Sequence, residues 1–208
     1  MKLRVGTTFV LLVAGLLALA APANAAIITY SSRAAFAAGV VGETIENWDS
    51  LADGTVIAVL DGIIYTSSTG SAVVTDAFLP LSPPNGLGRT PTEFFAAGDT
   101  MTFTFPTPIS AFAISINTFA TTPGAYSATT NLGDVIGSFY DPFVPSSTGQ
   151  FVGFSSTIPF TSVKLAAETG FSYTLDDMNY LVASVPEPAS ATLLGLAAAV
   201  ALYRRRRR

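Results

Sequence analysis

The sequence predicts an all-β protein: a two-sheet antiparallel β-sandwich of jelly-roll-like form, with one short N-terminal helix and a C-terminal hydrophobic helix. Two observations favour this class. Met101, Phe103 and Phe105 alternate with threonines, and Phe112, Ile114 and Ile116 repeat the alternation, so that one strand face packs on a core and the other meets water. Glycine and proline also interrupt the chain at short intervals, as between the strands of sandwich folds.

The elements follow from the same patterns. A helix is expected over residues 33–38, capped by Ser31 or Ser32 and stopped by Gly39. Loops rich in proline, glycine and small residues are expected at 79–89, 120–126 and 142–149. Eleven candidate strands remain, at residues 43–47, 55–59, 62–67, 72–76, 99–105, 109–117, 135–140, 150–154, 162–167, 172–175 and 178–183.

The first 25 residues have the three parts of a secretory signal peptide. Lys2 and Arg4 supply the positive charge, and an apolar run follows over residues 9–20. Ala23 and Ala25 form the small-residue cleavage site, so signal peptidase is expected to cut after Ala25. The apolar run is short for a membrane span, although a retained N-terminal anchor is the alternative.

Composition excludes several function classes. Residues 26–183 hold three basic and thirteen acidic side chains, a formal net charge of −10, and such a surface repels nucleic acid. The chain has no cysteine and no histidine, which removes thiolate nucleophiles, thiolate metal sites and the Ser-His-Asp triad. Any metal would need oxygen ligands, as calcium and magnesium prefer.

Residues 184–208 differ from the rest of the chain. Val185, Pro186, Glu187 and Pro188 predict an extended segment, because proline restricts itself and the residue before it. Residues 189–203 are almost wholly apolar and would span about 22 Å as a helix, less than the ~30 Å hydrocarbon core. Five basic residues follow and are expected to stay on the cytoplasmic side: Arg204, Arg205, Arg206, Arg207 and Arg208.

This order of a Pro-Glu-Pro motif, a short apolar helix and an arginine cluster resembles the PEP-CTERM sorting signal, which also carries the label ice-binding protein C-terminal domain, although no regular threonine array occurs here. The resemblance implies that exosortase, a membrane protease-transpeptidase, recognises the tail near Pro186–Pro188 and removes the helix. It implies transit through the inner membrane of a Gram-negative bacterium to the cell surface or extracellular matrix. A permanent, uncut anchor is the alternative. The predicted domains are 1–25, 26–183 and 184–208.

The middle of the chain also resembles a group of ectodomains found with this tail. The opening motifs lie at residues 32–36, 45–51, 54–55 and 61–63, and the closing motifs lie at 149–154 and 171–178. The sequence departs from the group at Ile45, where phenylalanine is usual. The resemblance implies a jelly-roll-like domain akin to carbohydrate-binding modules, and it implies no specific activity.

Four acidic residues are candidates for a calcium site: Glu46, Asp49, Asp176 and Asp177. Jelly-roll modules often join their first and last strands through calcium, and carboxylate oxygens suit this ion. Asp176 and Asp177 are adjacent, so both reach one site only if a bulge intervenes. The alternative is that Asp176 accepts backbone N–H groups in a turn while Asp177 is solvated.

Tyr126 and Tyr140 are predicted at loop edges, where their rings would form a platform for a sugar. Three functions stay open. The first is a surface or matrix protein associated with exopolysaccharide in biofilm, which binds carbohydrate. The second is a carboxylate-dependent glycosidase, for which no catalytic pair is singled out, so the sequence favours a protein that is not an enzyme. The third is a surface coat without a ligand.

Overall fold

The computed structural model describes residues 25–78, 80–142 and 148–184. Within these ranges the chain forms one helix, α1 (Arg33–Gly39), and thirteen strands. The strands are β1 (Ile27–Thr29), β2 (Thr44–Glu46), β3 (Val56–Ile57), β4 (Val59–Leu60), β5 (Ile63–Ser67), β6 (Ala72–Thr75), β7 (Gly86–Arg89), β8 (Thr100–Thr118), β9 (Tyr126–Thr130), β10 (Val135–Gly137), β11 (Phe139–Tyr140), β12 (Gln150–Ala167) and β13 (Tyr173–Val182). The all-β prediction is confirmed, and every pairing is antiparallel.

Two long strands run through the whole fold. β8 has 19 residues and β12 has 18, and they pair with each other along both of their halves. The register shifts between Ser155 and Phe160, which marks a bend in β12. All thirteen strands therefore belong to one hydrogen-bonded sheet rather than to two separate ones. The jelly-roll detail stays a prediction.

The sheet folds over at the middle of β8. Phe103 and Phe112 are nine positions apart, which an extended strand would separate by about 30 Å. Their ring centroids are only 5.9 Å apart. The strand bends where Pro106 and Pro108 lie exposed, so its two halves form opposing layers. The aromatic and branched residues of both layers then share one core that includes Trp48, which is fully buried.

The first half of β8 has a mixed pattern, with buried residues alternating with half-buried threonines. This half pairs with β5 and with the second half of β12. The second half of β8 is buried on both faces. Its outer face is covered by α1, because Phe36 of the helix packs with Ala111, Ala113 and Phe151. Ser32 caps this helix by accepting the N–H of Ala35 through its hydroxyl.

β13 pairs with the second half of β8 over its whole length, from Tyr173 opposite Thr118 to Val182 opposite Ile109. β13 therefore has two ends with different surroundings. Its first residue, Tyr173, lies opposite Thr118 at the end of β8 and also forms a bridge with Phe95. Its last residues lead to Ser184, and the N–H of Ala183 donates to the carbonyl of Pro108.

Candidate functional site

Most of the predicted sorting residues lie outside the described part of the chain. This holds for Ala23, for the segment from Val185 to Pro188, for the apolar segment 189–203 and for the arginines Arg204 to Arg208. Ala25 is half-buried at the start of the described residues. The next residue, Ala26, donates its N–H to the hydroxyl of Thr157, so the predicted cleavage point adjoins the folded domain.

The predicted aromatic platform requires a correction at Tyr126. Its ring is only 1 % exposed, and its hydroxyl bonds to the hydroxyl of Thr118 in the interior. Burial raises the pKa of Tyr126 to about 12. Tyr126 is a core residue because β9 carries it inward against Tyr173, so it offers no face to a ligand. Tyr140 is 38 % exposed, and its place in a ligand platform stays a prediction.

A different aromatic surface lies at the end of the fold where β8 ends and β13 begins. It is a hollow of about 550 Å³. We call it the aromatic groove, and the residues that matter for its chemistry are Phe78, Phe94, Asn117, Phe119, Phe171 and Ser172. Four separate stretches of the chain supply them, and the pairing of Tyr173 with Thr118 brings two of these stretches together. Aromatic hollows with a few polar groups are the usual form of ligand sites.

The phenylalanines of the groove are unusually exposed for their type. Phe119 is 76 % exposed and Phe171 is 48 % exposed, and they also line a smaller adjoining hollow of about 280 Å³. Phe78 stands edge-on to Phe94, with ring centroids 5.5 Å apart. Leaving two large apolar rings in water costs free energy that burial would recover. The groove is therefore a surface that gains from being covered.

The floor of the groove is fixed by buried contacts. Tyr173 stacks on Phe95 with ring centroids 5.0 Å apart, and its hydroxyl donates to the carbonyl of Asp99. The hydroxyl of Thr118 donates to the carbonyl of Ser172. These bonds tie the start of β13 to the end of β8 and to the loop before Thr100, so the floor is preformed.

The groove is electrically neutral. Its lining, taken over the described residues, contains no acidic or basic side chain, although the domain carries ten net negative charges. The adjoining hollow does contain a carboxylate, that of Glu168, which accepts a hydrogen bond from the hydroxyl of Ser127. Phe119 and Phe171 lie in loops of small and polar residues, and a bulky apolar residue in such a loop is the signal by which sequence could indicate this groove.

The predicted acidic cluster lies towards α1, where Asp177 lines a hollow together with Arg33 and Phe36. A bulge interrupts the pairing of β13 after Asp176, and Asp177 takes a positive φ of 44°. The bulge turns both carboxylates towards Ser82. The N–H of Ser82 donates to Asp176 at 2.7 Å, and its hydroxyl donates to Asp177 at 2.7 Å.

Residues 49–51 bind the other end of the loop that contains Ser82, at Asn85. Asp49 accepts the N–H of Asn85, and the side-chain amide of Asn85 donates to the carbonyl of Leu51. Glu46 does not join this loop, because its carboxylate accepts the N–H of Trp48 within its own turn. The structure thus gathers Asp49, Asp176 and Asp177 around residues 82–85 and leaves Glu46 apart.

The environment of this cluster disfavours negative charge. Burial, and then the charge of Asp177, raise the pKa of Asp176 to about 7. Burial also raises the pKa of Asp177. Across residues 25–78, 80–142 and 148–184, no three acidic side chains are placed to hold a metal ion together. Asp176 accepts the N–H groups of Ser82 and Asp177, which is the turn role given as the alternative, and calcium at these residues stays a prediction.

Comparison with solved structures finds only distant likeness. Two are variants of the catalytic domain of a GH87 alpha-1,3-glucanase, one in complex with tetrasaccharides and one with nigerose. Each is 11 % identical with a TM-score of 0.35, over 78 % of this chain. The chain matches only 29 % of the length of either glucanase chain. Likeness at this level establishes neither a shared fold nor a shared activity. No curated protein matches the chain.

Two findings bear on export. None of the helices in the described ranges has the length and apolar character needed to cross a membrane. The family of the PEP-CTERM protein-sorting motif matches residues 184–208, which are the residues singled out by their Pro-Glu-Pro, apolar and arginine segments. The chain is therefore a protein with a PEP-CTERM sorting motif, exported and sorted by way of exosortase.

Proposed function

We propose that this protein works at the cell surface or in the extracellular matrix of a Gram-negative bacterium, where its β domain associates with extracellular polysaccharide. The observation that carries the proposal is that one chain has both a sorting motif at residues 184–208 and a domain that exposes the aromatic groove. Sorting delivers the domain outside the inner membrane, and the groove gives it a surface that favours a ligand.

Binding is a better fit than hydrolysis. A glycosidase needs two carboxylates across the bond that it cleaves, roughly 5–10 Å apart. The lining of the groove, in the described residues, supplies no carboxylate at all. Asp176 and Asp177 accept hydrogen bonds from Ser82 and do not belong to the lining of the groove. We therefore propose a binding protein and not an enzyme.

The sorting part is tested by intact mass of the protein from its producing cells, with and without exosortase. We expect a mass that ends near Val185–Pro188 in the parent cells and a longer one in the mutant. Replacing Pro186 and Glu187 by alanine is expected to give the longer mass too. The matched control, Pro123→Ala with Asp76→Ala, removes one proline and one carboxylate at exposed positions of the domain. A tail removed as usual in the Pro186 and Glu187 variant would contradict recognition at this motif.

Association with polysaccharide is tested by size-exclusion chromatography of matrix extracts before and after digestion of the polysaccharide. We expect the protein to elute with the polysaccharide and to shift to its own size after digestion. The sorting variant should be missing from the matrix fraction. If the protein elutes at its own size before digestion, association with polysaccharide is contradicted, and the surface coat without a ligand is the function that remains.

A further inference from the structure

We propose that the aromatic groove binds an uncharged sugar chain, with Phe119 and Phe171 as its main contacts. The inference deepens the proposed association with polysaccharide and rests on it. It places the polysaccharide contact at one end of the domain, on the rings of Phe119 and Phe171, and it specifies a ligand without charge.

The rings supply the first argument. Phe119 and Phe171 are 76 % and 48 % exposed, and both of them line each of the two adjoining hollows. A pyranose ring has an apolar C–H face and a rim of hydroxyl groups, and the C–H face packs on an aromatic ring. Asn117 and Ser172 are polar residues of the same lining. A sugar has both an apolar face and hydroxyl groups, and the lining has both aromatic rings and polar residues.

Charge supplies the second argument. The domain is acidic, with a formal net charge of −10, so glycans with carboxylate or sulfate groups are repelled. A cationic ligand would be drawn to the carboxylates, and none of these lines the groove among the described residues. A neutral lining on an acidic domain therefore selects an uncharged ligand.

Position supplies the third argument. The groove lies at the Tyr173 end of β13, and the sorting motif begins at residue 184, beyond the Val182 end. The 10 residues of β13 separate these ends by about 30 Å. While residues 184–208 are held at the membrane, the groove lies at the far end of β13 from the point of attachment. A ligand outside the cell reaches it without passing the attachment.

The preformed floor completes the case. Tyr173 is fixed by its stacking on Phe95 and by its bond to the carbonyl of Asp99. Binding on a preformed surface loses little conformational entropy, so even a small contact area yields measurable affinity.

The test uses the mature protein purified from its producing cells, in the wild-type form and as Phe119→Ala, Phe171→Ala and the double variant. The probe is the cells' own exopolysaccharide, separated by anion exchange into neutral and acidic fractions, and binding is measured by calorimetry. Both phenylalanines are exposed, so truncating them should leave the circular dichroism spectrum unchanged. Val41→Ala is the matched control, because Val41 is 84 % exposed and lies outside the groove lining.

We expect the wild type and Val41→Ala to bind the neutral fraction. Each single phenylalanine variant should weaken binding by about tenfold, and the double variant by more. Binding should change little with added salt, because no charge is involved. Three outcomes would each overturn the inference. They are preference for the acidic fraction, no binding to the neutral fraction, and unchanged affinity in the folded double variant.

The inference and the proposed function fail in distinguishable ways. If the double variant still elutes with matrix polysaccharide, the association stands and the assignment of binding to the groove is overturned. If calorimetry shows binding that depends on Phe119 and Phe171, but the protein does not elute with the polysaccharide in matrix extracts, the groove assignment is supported and the matrix role is overturned.

Discussion

Asp176 lies directly opposite Ser115 where β13 pairs with β8. The hydroxyl of Ser115 is buried and, within the described residues, has no hydrogen-bond partner. Asp176 is itself only 1 % exposed, so its carboxyl group is shut away from water, and its hydrogen bonds come from Ser82 and Asp177 rather than from Ser115. This enclosure has measurable consequences for stability.

Asp176→Asn is expected to change how stability depends on pH. Burial raises the folded pKa of Asp176 to about 7 from an ordinary 3.8. Between these values the unfolded chain has released a proton that the folded chain keeps, so the wild type becomes less stable as pH rises from about 4 to about 7. The loss is on the order of 4 kcal/mol, and Asp176→Asn should lack it. Urea unfolding at several pH values measures the difference. The control Asp76→Asn, at an exposed site, should keep the wild-type slope; parallel curves for wild type and Asp176→Asn would refute this prediction.

Asp99→Asn is expected to destabilise the domain. Nε of Arg89 lies 2.6 Å from the carboxylate of Asp99, and both side chains are largely buried. Burial opposes the charge of Asp99, but hydrogen bonds from Thr69, Arg89 and the N–H of Ala96 outweigh it and hold its pKa below the ordinary value. Removing one charge leaves Arg89 buried without its counter-ion, at a cost of about 3 kcal/mol.

A lower melting temperature, by roughly 6–12 °C, is the expected readout for Asp99→Asn. The wild type should also lose stability as pH falls through the depressed pKa of Asp99, and the variant should lack that component. A melting temperature equal to that of Asp76→Asn would show that the pair contributes nothing.

Gly88→Ala is expected to be poorly tolerated. A methyl group at Gly88 in β7 would overlap the carbonyl oxygen of Glu93, and backbone cannot move aside as a side chain can. We expect a loss of more than about 3 kcal/mol, seen in urea unfolding. Gly137→Ala is the matched control, because Gly137 is also in a strand and a methyl group there would have its nearest neighbour at 3.6 Å. Equal losses in the two variants would mean that β7 and the turn at Glu93 can separate.

Metal removal separates the two roles considered for Asp176. Its carboxylate already accepts the N–H groups of Ser82 and Asp177. We therefore expect Asp176→Ala to lower the melting temperature equally in calcium and in EGTA, because the loss is that of two backbone hydrogen bonds. A larger loss in calcium than in EGTA would instead establish the calcium site predicted from Glu46, Asp49, Asp176 and Asp177.

The strands with alternating side chains were predictable, and their connections were not. The alternation at 101–105 and at 112–116 marks two strands, and the structure joins them into β8 through a proline-containing bend. Proline usually ends a strand, but an exposed bend needs no hydrogen bond at that point. β7 was hidden in a predicted loop because Gly86 and Gly88 have no side chain to show a pattern. β9 was missed because its polar residues resemble a loop.

The sites were predictable only in part. The acidic residues that meet at one loop were visible as a set, and the bulge that lets Asp176 and Asp177 converge was a stated condition. Their partner Ser82 could not be predicted from the sequence, because 94 residues separate it from Asp176. The aromatic groove has the same difficulty. Phe78, Phe119 and Phe171 come from three loops, and no local pattern shows that the loops meet.

The placement of β13 also determines how the domain carries mechanical load. If a ligand pulls on the Tyr173 end while the chain is held beyond Val182, the force runs along the strand. The hydrogen bonds between β13 and β8 run across that direction and are stressed together in shear, rather than opened one after another as in unzipping. Force applied in this direction separates β13 from β8 only when several of these hydrogen bonds break together.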